Sequence, residues 1–356
     1  MDDNFKKEFR EIRNQARLDV NAYYFSHMEE LTDSYRESIA AACRQVKKMQ
    51  AQGYQDVEFM EITMLRTRLL NRDFRAPILV YGPNWYVDPM QAQAGEIDAG
   101  GIFSFYEDMA EKTAGLVKKY RSKVPERMVE ICMCQTADSF WNYVDMACRR
   151  AIMGFTPEGM GITEQFRVRI CEYMGYGSVC RRHLPAMEQK QMKKWFQKAE
   201  AEVYRFRDFR GMDFSGWNFD GLDLTGCDFR DCNLDGCSFA EANLTGTWFC
   251  GSTMKGACFR DAWVPGARFD GANLEGAVFE GTYSSCRFNE EIWLRPDNEW
   301  ASFAGCGLKN ADFTFSAVEC ADFSNADVEG ALFDEGHEEY YQLDEKQRGQ
   351  AKFCEE

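Results

Sequence analysis

Residues that could support catalysis are scarce in this sequence. The chain has three histidines, His27, His183 and His337. It contains no Walker motif, no Gly-x-Gly-x-x-Gly, no Gly-x-Ser-x-Gly and no His-Glu-x-x-His. We therefore predict a non-enzymatic protein without a cofactor. An uncharacterised enzyme or a ligand sensor within residues 1–200 is the alternative for that part of the chain.

One group of thiols could be drawn together as a metal site. Its members are Cys132, Cys134, Cys171, Cys180 and His183. Their spacing does not match the ligand pairs of structural zinc sites, and a Cys180–His183 nucleophile pair has no third residue to orient it. The fifteen cysteines are an odd number, and the chain does not begin with a secretory signal. We interpret the thiols as reduced, buried, small apolar side chains and predict no metal site.

The net charge of −16 is concentrated in one part of the chain. Residues 201–356 hold 30 acidic and 13 basic residues, whereas residues 1–200 are nearly neutral. A surface that binds nucleic-acid phosphates needs the opposite sign, so we predict no direct nucleic-acid binding. No run of eighteen apolar residues is present, which predicts no membrane span. With no secretory signal, these features predict a cytoplasmic protein.

The strongest pattern is a period of five. A large apolar residue occupies every fifth position from Phe209 to Phe279 and again from Phe303 to Phe333. Neither a helix nor a single strand has this period. The phenylalanines that we predict to form the structural core are Phe209, Phe219, Phe229, Phe239, Phe249, Phe259, Phe269, Phe279, Phe303, Phe313, Phe323 and Phe333.

The positions around each centre also repeat. Two residues before it the side chain is small, as at Cys227 and Ala242, and one residue before it Asp or Asn is frequent, as at Asp223 and Asn243. Two residues after it Gly is common, as at Gly226. This order describes a short strand that alternates inward and outward and then turns a corner.

The pattern resembles the pentapeptide-repeat family, whose motif is Ala-Asp/Asn-Leu-x-x with Leu or Phe at the centre. The resemblance covers residues 204–333. It implies an all-β, right-handed quadrilateral β-helix, a solenoid with four such units in each coil, so that phenylalanines twenty residues apart stack into ladders. An interior filled in this way leaves no pocket for a substrate.

We expect three parts in the chain. An α-rich (α+β) domain covers residues 1–200, with a small β element at about 57–87. The β-helix covers 201–334 and is interrupted at about 282–300, where Cys286-Arg287-Phe288 restores the motif one residue early. A C-terminal cap with a short helix covers 335–356. The other end of the solenoid needs a cover from the N-terminal domain or from a partner.

The first domain resembles no family known to us. An apolar stripe starts at Phe5 and predicts one long helix, or two helices split near Thr32-Asp33-Ser34. This stripe is either a core face or a self-associating coil. Further helices are predicted at about 103–122, 126–152, 163–174 and 187–203.

Two tryptophans occupy outward positions, where polar residues are usual. Trp248 and Trp263 each precede a centre, and Val278 repeats the exception. Exposed aromatic side chains mark contact surfaces. They could be covered by residues 1–200, by a partner protein or by a second copy in a homodimer. The candidate interaction residues, which include three from the interruption, are Trp248, Trp263, Val278, Trp293, Arg295 and Trp300.

The end of the repeat is acidic. The residues predicted to form this acidic surface are Asp312, Glu319, Asp322, Asp327, Glu329 and Asp334. The surface is either a solubilising end or, as the resemblance implies, a mimic of DNA, since some bacterial proteins of the family bind and protect DNA gyrase. We predict an interaction or scaffold protein with a rigid acidic surface. A gyrase- or topoisomerase-protecting DNA mimic is the alternative.

Overall fold

The computed structural model describes residues 2–121, 123–152, 155–157, 159–173, 177–183, 189–196, 204–284, 301–318, 321–335 and 341–354. The chain divides into two compact units, Met1–Arg181 and Arg182–Glu356. The division falls earlier than the predicted boundary at residue 200, and a short helix, α5, Gln189–Phe196, lies in the second unit.

The first unit is built on one very long helix. Helix α1, Asp3–Gln50, is unbroken, and the side chain of Asp2 accepts hydrogen bonds from the first backbone N–H groups. The one-helix alternative is therefore the one that the structure shows. Within its apolar stripe, Phe5, Val20 and Val46 are buried, and Phe9 and Ile12 are half-buried. Helix α1 packs against α3, Gly100–Lys119, and α4, Met128–Ile152.

A five-stranded mixed sheet completes this unit, and it is larger than the predicted β element at 57–87. The order is β3-β2-β1-β4-β5, in which β1 pairs antiparallel with β2 and parallel with β4. A short helix, α2, Arg66–Leu70, joins β1 to β2. The strands are β1 Val57–Met64, β2 Arg75–Tyr81, β3 Ala92–Asp98, β4 Ile162–Glu172 and β5 Gly177–Arg182.

The helix predicted at 163–174 is wrong, because Ile162–Glu172 forms strand β4. Phe166, Val168 and Ile170 alternate along the strand and are buried. The spacing of Phe166, Ile170 and Tyr173 also fits a helix, so the sequence supports both periods. Parallel pairing of β4 with β1, through Met60 opposite Val168, decides in favour of the strand.

The second unit is a β-helix solenoid with a coil of twenty residues. Asp208 pairs with Asp228, and Asp228 pairs with Trp248, twenty residues further on. Inside, the Phe259 ring stacks on the Phe279 ring with centroids 4.7 Å apart. It meets Phe269 of the other ladder edge-on at 5.5 Å. The predicted ladders are therefore confirmed, and each aromatic pair contributes about 0.5–1.5 kcal/mol beyond its burial.

The ladders continue across the interruption. Arg268 pairs with Ser302, thirty-four residues later instead of twenty, and the rings of Phe269 and Phe303 stack at 4.8 Å. Ser284 takes the interior position that follows Phe279, and its hydroxyl accepts a hydrogen bond from Ala301 N–H at 3.3 Å. The predicted centre Phe288 lies outside the described residues.

Residues of the second unit cover both ends of the solenoid. Helix α5, Gln189–Phe196, places Phe196 against Phe209, Phe214 and Phe219 of the first coil. The cover at this end is thus part of the unit itself. Helix α6, Glu345–Gln350, closes the other end, where Gln347 Nε2 donates hydrogen bonds to two backbone carbonyls. Strand β7, Lys352–Cys354, then pairs with β6, Leu332–Asp334.

Candidate interaction surface of the β-helix

The frequent Asp and Asn before each centre have a structural task. Asp312 Oδ1 accepts hydrogen bonds from Thr314 N–H at 3.0 Å and from the Thr314 hydroxyl at 2.7 Å. Asn243 does the same for Thr245 at 3.1 and 2.7 Å. Each side chain caps the backbone of the corner that follows. Either an acid or an amide serves, so acidity at this position is not itself a sign of function.

Trp263 stands at a capping position without capping anything. It is 46% exposed, and its indole stacks on the ring of Tyr283 with centroids 4.4 Å apart. Trp263 pairs with Asn243 on one side and with Tyr283 on the other, so the aromatic pair continues a ladder that begins with polar residues. Two adjacent coils therefore present aromatic rings on one outer face.

Trp248 has a different environment. It is half-buried, and the Arg230 guanidinium lies 5.2 Å from the centre of its ring. Arg230 in turn donates to Asp228, which is fully buried, at 2.7 and 2.9 Å. The hydrogen bond to Asp228 raises the pKa of Arg230. Trp248 thus covers an internal ion pair, and this accounts for its presence without a partner.

The remaining predicted contact residues do not join Trp263. Val278 is half-buried in a third ladder, between Cys258 and Asp312. The structure therefore places Trp248, Trp263 and Val278 in three separate ladders. The residues that lie outside the described part of the chain are Trp293, Arg295, Trp300 and Glu319.

The predicted acidic surface needs one correction. Asp334 is buried, because both of its carboxylate oxygens accept a hydrogen bond from Phe315 N–H, at 3.0 and 2.9 Å. Its carboxylate replaces a backbone carbonyl and is not presented to solvent. The other described members are exposed or half-exposed; these are Asp312, Asp322, Asp327 and Glu329.

Sequence reasoning missed Phe315. This side chain is 62% exposed, more than Trp263, and its backbone has a φ of +57°. It occupies a corner where glycine is usual, two residues after the centre Phe313. An aromatic residue in a glycine position was the signal that could have found it.

The thiols of the solenoid are hydrogen-bond donors as well as small side chains. Cys232 Sγ donates to the Phe209 carbonyl at 3.0 Å, and Cys306 Sγ donates to the Phe269 carbonyl at 2.9 Å. Ser252 makes the same bond with its hydroxyl. Burial raises the pKa of Cys232 and of Cys306 to about 12. Within the described ranges, no group of three or more metal-ligating side chains could hold a metal ion.

The first unit contains a buried polar cluster around Glu61. Glu61 Oε1 accepts hydrogen bonds from Arg169 Nη1 at 2.6 Å and from Trp85 Nε1 at 2.9 Å. The Arg169 guanidinium lies 4.5 Å from the Trp85 ring, which stacks on Phe59. Burial raises the pKa of the neighbouring Tyr86 well above its usual value. Glu61 and Arg169 are 108 residues apart in the chain, so no local sequence pattern indicated this pair.

Comparisons with known proteins address the second unit. A family model described as pentapeptide repeats matches residues 208–236 and 218–256, with eight copies. No curated protein matches the chain. In the described part of the chain, no helix has the length and apolar character needed to cross a membrane.

Several solved pentapeptide repeat proteins are similar to this chain. Rfr23 from the cyanobacterium Cyanothece 51142 is 13% identical, with a TM-score of 0.32, over 46% of this chain and 99% of that chain. QnrB1, a plasmid-mediated fluoroquinolone resistance protein, is 20% identical, with a TM-score of 0.20, over 44% and 76%. A protein of the Arabidopsis thaliana thylakoid lumen is 24% identical, with a TM-score of 0.20, over 43% and 79%.

The pairing of residues twenty apart and the family match agree on the class of the second unit, which is a solenoid of stacked short strands. The repeat region is a pentapeptide-repeat β-helix, as its sequence predicts. The first unit is matched by no family model.

Proposed function

We propose that this protein is a non-enzymatic interaction protein and that the β-helix presents the Trp263–Tyr283 face to a partner protein. The observation that carries the proposal is the exposed Trp263 ring, stacked on Tyr283 at a position where a capping Asp or Asn is frequent. We further propose that the solenoid is right-handed with four sides per coil. We also propose that the protein acts in the cytoplasm.

The physical support is the combination of an aromatic surface and a rigid backbone. Tryptophan and tyrosine contribute strongly to protein interfaces because they bury a large area with few rotatable bonds. The main chain around Trp263 is hydrogen-bonded to the coils on both sides, because Trp263 N–H donates to the Ala242 carbonyl of the preceding coil and Val264 N–H donates to the Tyr283 carbonyl of the following coil. A surface held in this way loses little conformational entropy on binding.

The test is the substitution Trp263→Asn. Asparagine is the residue at the same ladder position one coil earlier, Asn243, so the substitution restores a capping side chain while it removes the aromatic surface. Thr253→Asn is the matched control, because Thr253 is an exposed outward residue of another ladder, between Asn233 and Asn273.

The measurement is quantitative affinity capture from host lysate with the wild-type chain and both variants. We expect that the wild type and Thr253→Asn capture a partner protein in equal amounts and that Trp263→Asn captures at least tenfold less of it. Circular dichroism verifies that all three are folded. Retention of the same proteins in equal amounts by all three chains would sink the proposal.

Protection of a topoisomerase by DNA mimicry is the second candidate. Asp322, Asp327 and Glu329 are exposed within one short segment, which favours it. Asp322 and Asp327 also cap backbone N–H groups at 2.8 and 3.2 Å, so part of this acidity belongs to the fold. The double variant Asp322→Asn, Asp327→Asn keeps the caps and removes two charges. Mimicry requires that the wild type alters DNA gyrase supercoiling and that the variant acts more weakly; no effect of the wild type refutes it.

A further inference from the structure

A single row of corners in the solenoid carries both acids and an aromatic ring. The corner residues on successive coils are Glu241, Asp261, Gly281, Phe315 and Glu335, and the first four have positive φ angles between +56° and +66°. The backbone bonds confirm the alignment, since Asp261 N–H donates to the Glu280 carbonyl and Gly281 N–H donates to the Thr314 carbonyl. Phe315 is thus one coil beyond Gly281.

Phe315 breaks two local rules at once. A bulky side chain is strained in the left-handed region of backbone conformation. A large apolar ring that is exposed to water also forgoes the favourable free energy of burial. Its position is nevertheless firmly fixed, because the Asp334 carboxylate binds its N–H, and the Tyr341 hydroxyl donates to Asp334 at 3.3 Å. Residues that are held in strained conformations and expose apolar surface occur where a protein binds something.

The ring of Phe315 extends the aromatic face described above. Phe315 lies two residues before Ala317, Ala317 pairs with Tyr283, and Tyr283 pairs with Trp263. Three consecutive coils therefore contribute one aromatic side chain each to the same edge. We call Trp263, Tyr283 and Phe315 the aromatic strip. With coils about 4.8 Å apart, the strip is about 10 Å long.

Unpaired acids border the aromatic strip. Glu241, Asp261 and Glu335 are exposed, and within the described residues none of them forms an ion pair. The Asp261 carboxylate lies against Gly281, where even a Cβ atom would collide with it. This places a carboxylate between the level of Trp263 and the level of Phe315. Arg260, the residue before Asp261 in the chain, is already bound to Glu280 at 2.6 Å.

We propose that the aromatic strip binds a basic segment of a partner protein, with Lys or Arg side chains stacked on its rings and paired with Asp261 and its acidic neighbours. This inference rests on the proposed interaction function and names the chemistry of the partner. Cations are attracted to the faces of aromatic rings, and this attraction is stronger where a carboxylate is close by. The acidic border also disfavours an acidic partner.

The experiment uses a phage-displayed library of random twelve-residue peptides, panned against the full-length wild-type chain and against Trp263→Asn. The expected result is enrichment, on the wild type only, of peptides that combine Lys or Arg with an apolar residue. A synthetic peptide of the enriched sequence is then titrated against purified variants by fluorescence anisotropy.

Two variants separate the parts of the strip. Phe315→Gly gives this corner the residue found at Gly281, and we expect at least tenfold weaker binding of the peptide. Asp261→Asn retains a residue type that tolerates positive φ, and we expect about fivefold weaker binding and a smaller salt dependence. Asp231→Asn is the matched control. Asp231 has a φ of +58°, and its carboxylate lies against Gly251 in another row of corners.

The outcomes are distinct. Peptides that need Trp263 but carry no basic residue overturn the assigned chemistry and leave the proposed function standing. Binding that survives Phe315→Gly, or that falls equally with Asp231→Asn, overturns the part assigned to that corner. The same peptides enriched on the wild type and on Trp263→Asn, or none on either, contradict both the inference and the proposed face.

Discussion

The corner caps give a prediction that separates charge from hydrogen bonding. We expect Asp312→Ala to destabilise the second unit by about 1–1.5 kcal/mol, because it removes the acceptor of two hydrogen bonds, from Thr314 N–H and the Thr314 hydroxyl. We expect Asp312→Asn to change the free energy of unfolding by less than about 0.5 kcal/mol. Asn243 already makes the same two bonds to Thr245 at nearly the same distances.

Glu329→Ala is the control for loss of charge. Glu329 is exposed and pairs with exposed Lys309 at 2.7 Å, and such a solvated surface pair contributes little to stability. The assay is urea unfolding of the full chain, followed by hydrogen exchange of peptides from residues 204–335, which reports on the second unit alone. If Asp312→Asn were as destabilising as Asp312→Ala, the carboxylate would act through its charge, and our account of the repeat's Asp/Asn position would be wrong.

Two other predictions concern buried groups. Glu61→Ala removes the partner of Arg169 and Trp85, so we expect it to destabilise the first unit by about 3–5 kcal/mol in thermal unfolding; a loss below about 1 kcal/mol would show that the pair is not a structural anchor. Folding raises the pKa of Cys232 and of Cys306 to about 12. Their contribution to the free energy of unfolding is therefore fully present below about pH 8.5, the pKa of an exposed thiol. Between about pH 8.5 and about pH 12 we expect this free energy to fall by about 1.4 kcal/mol per pH unit for each thiol. The double variant Cys232→Ser, Cys306→Ser keeps the donors, as Ser252 does, and should reduce this alkaline loss; equal loss in both chains would contradict the pKa assignment.

The solenoid was predictable because nearly every five-residue unit of the repeat carries the same pattern of large, small and polar side chains. The interior of a coil is narrow and accepts only large apolar residues at the centres, so the spacing of the phenylalanines from Phe209 to Phe279 predicted the stacking. The Asp and Asn residues were recognised as a pattern, but their capping role needed the corner geometry. Asp334 carries the same side chain and is buried, because it bonds to Phe315, a residue on the preceding coil.

The first unit was less predictable because its strands depend on distant partners. Strand β4 pairs with β1 about a hundred residues earlier in the chain, and its Phe166–Ile170 spacing fits a helix equally well. The burial of Glu61 likewise depends on Arg169 and Trp85, which meet it only in the folded sheet. Phe315 was missed for a related reason, since its exposure follows from the corner that it occupies and not from its neighbours in sequence.

The continuity of the ladder from Arg268 to Ser302 separates chain length from architecture. The other described coils pair at a separation of twenty residues, yet here the same faces meet after thirty-four residues. Phe303 still stacks on Phe269, and Phe313 still stacks on Phe279. Extra residues between Ser284 and Ala301 therefore leave the phase of the later coils unchanged. The position between Ser284 and Ala301 therefore suits the insertion of a binding loop or a reporter domain, because the rest of the solenoid need not be redesigned.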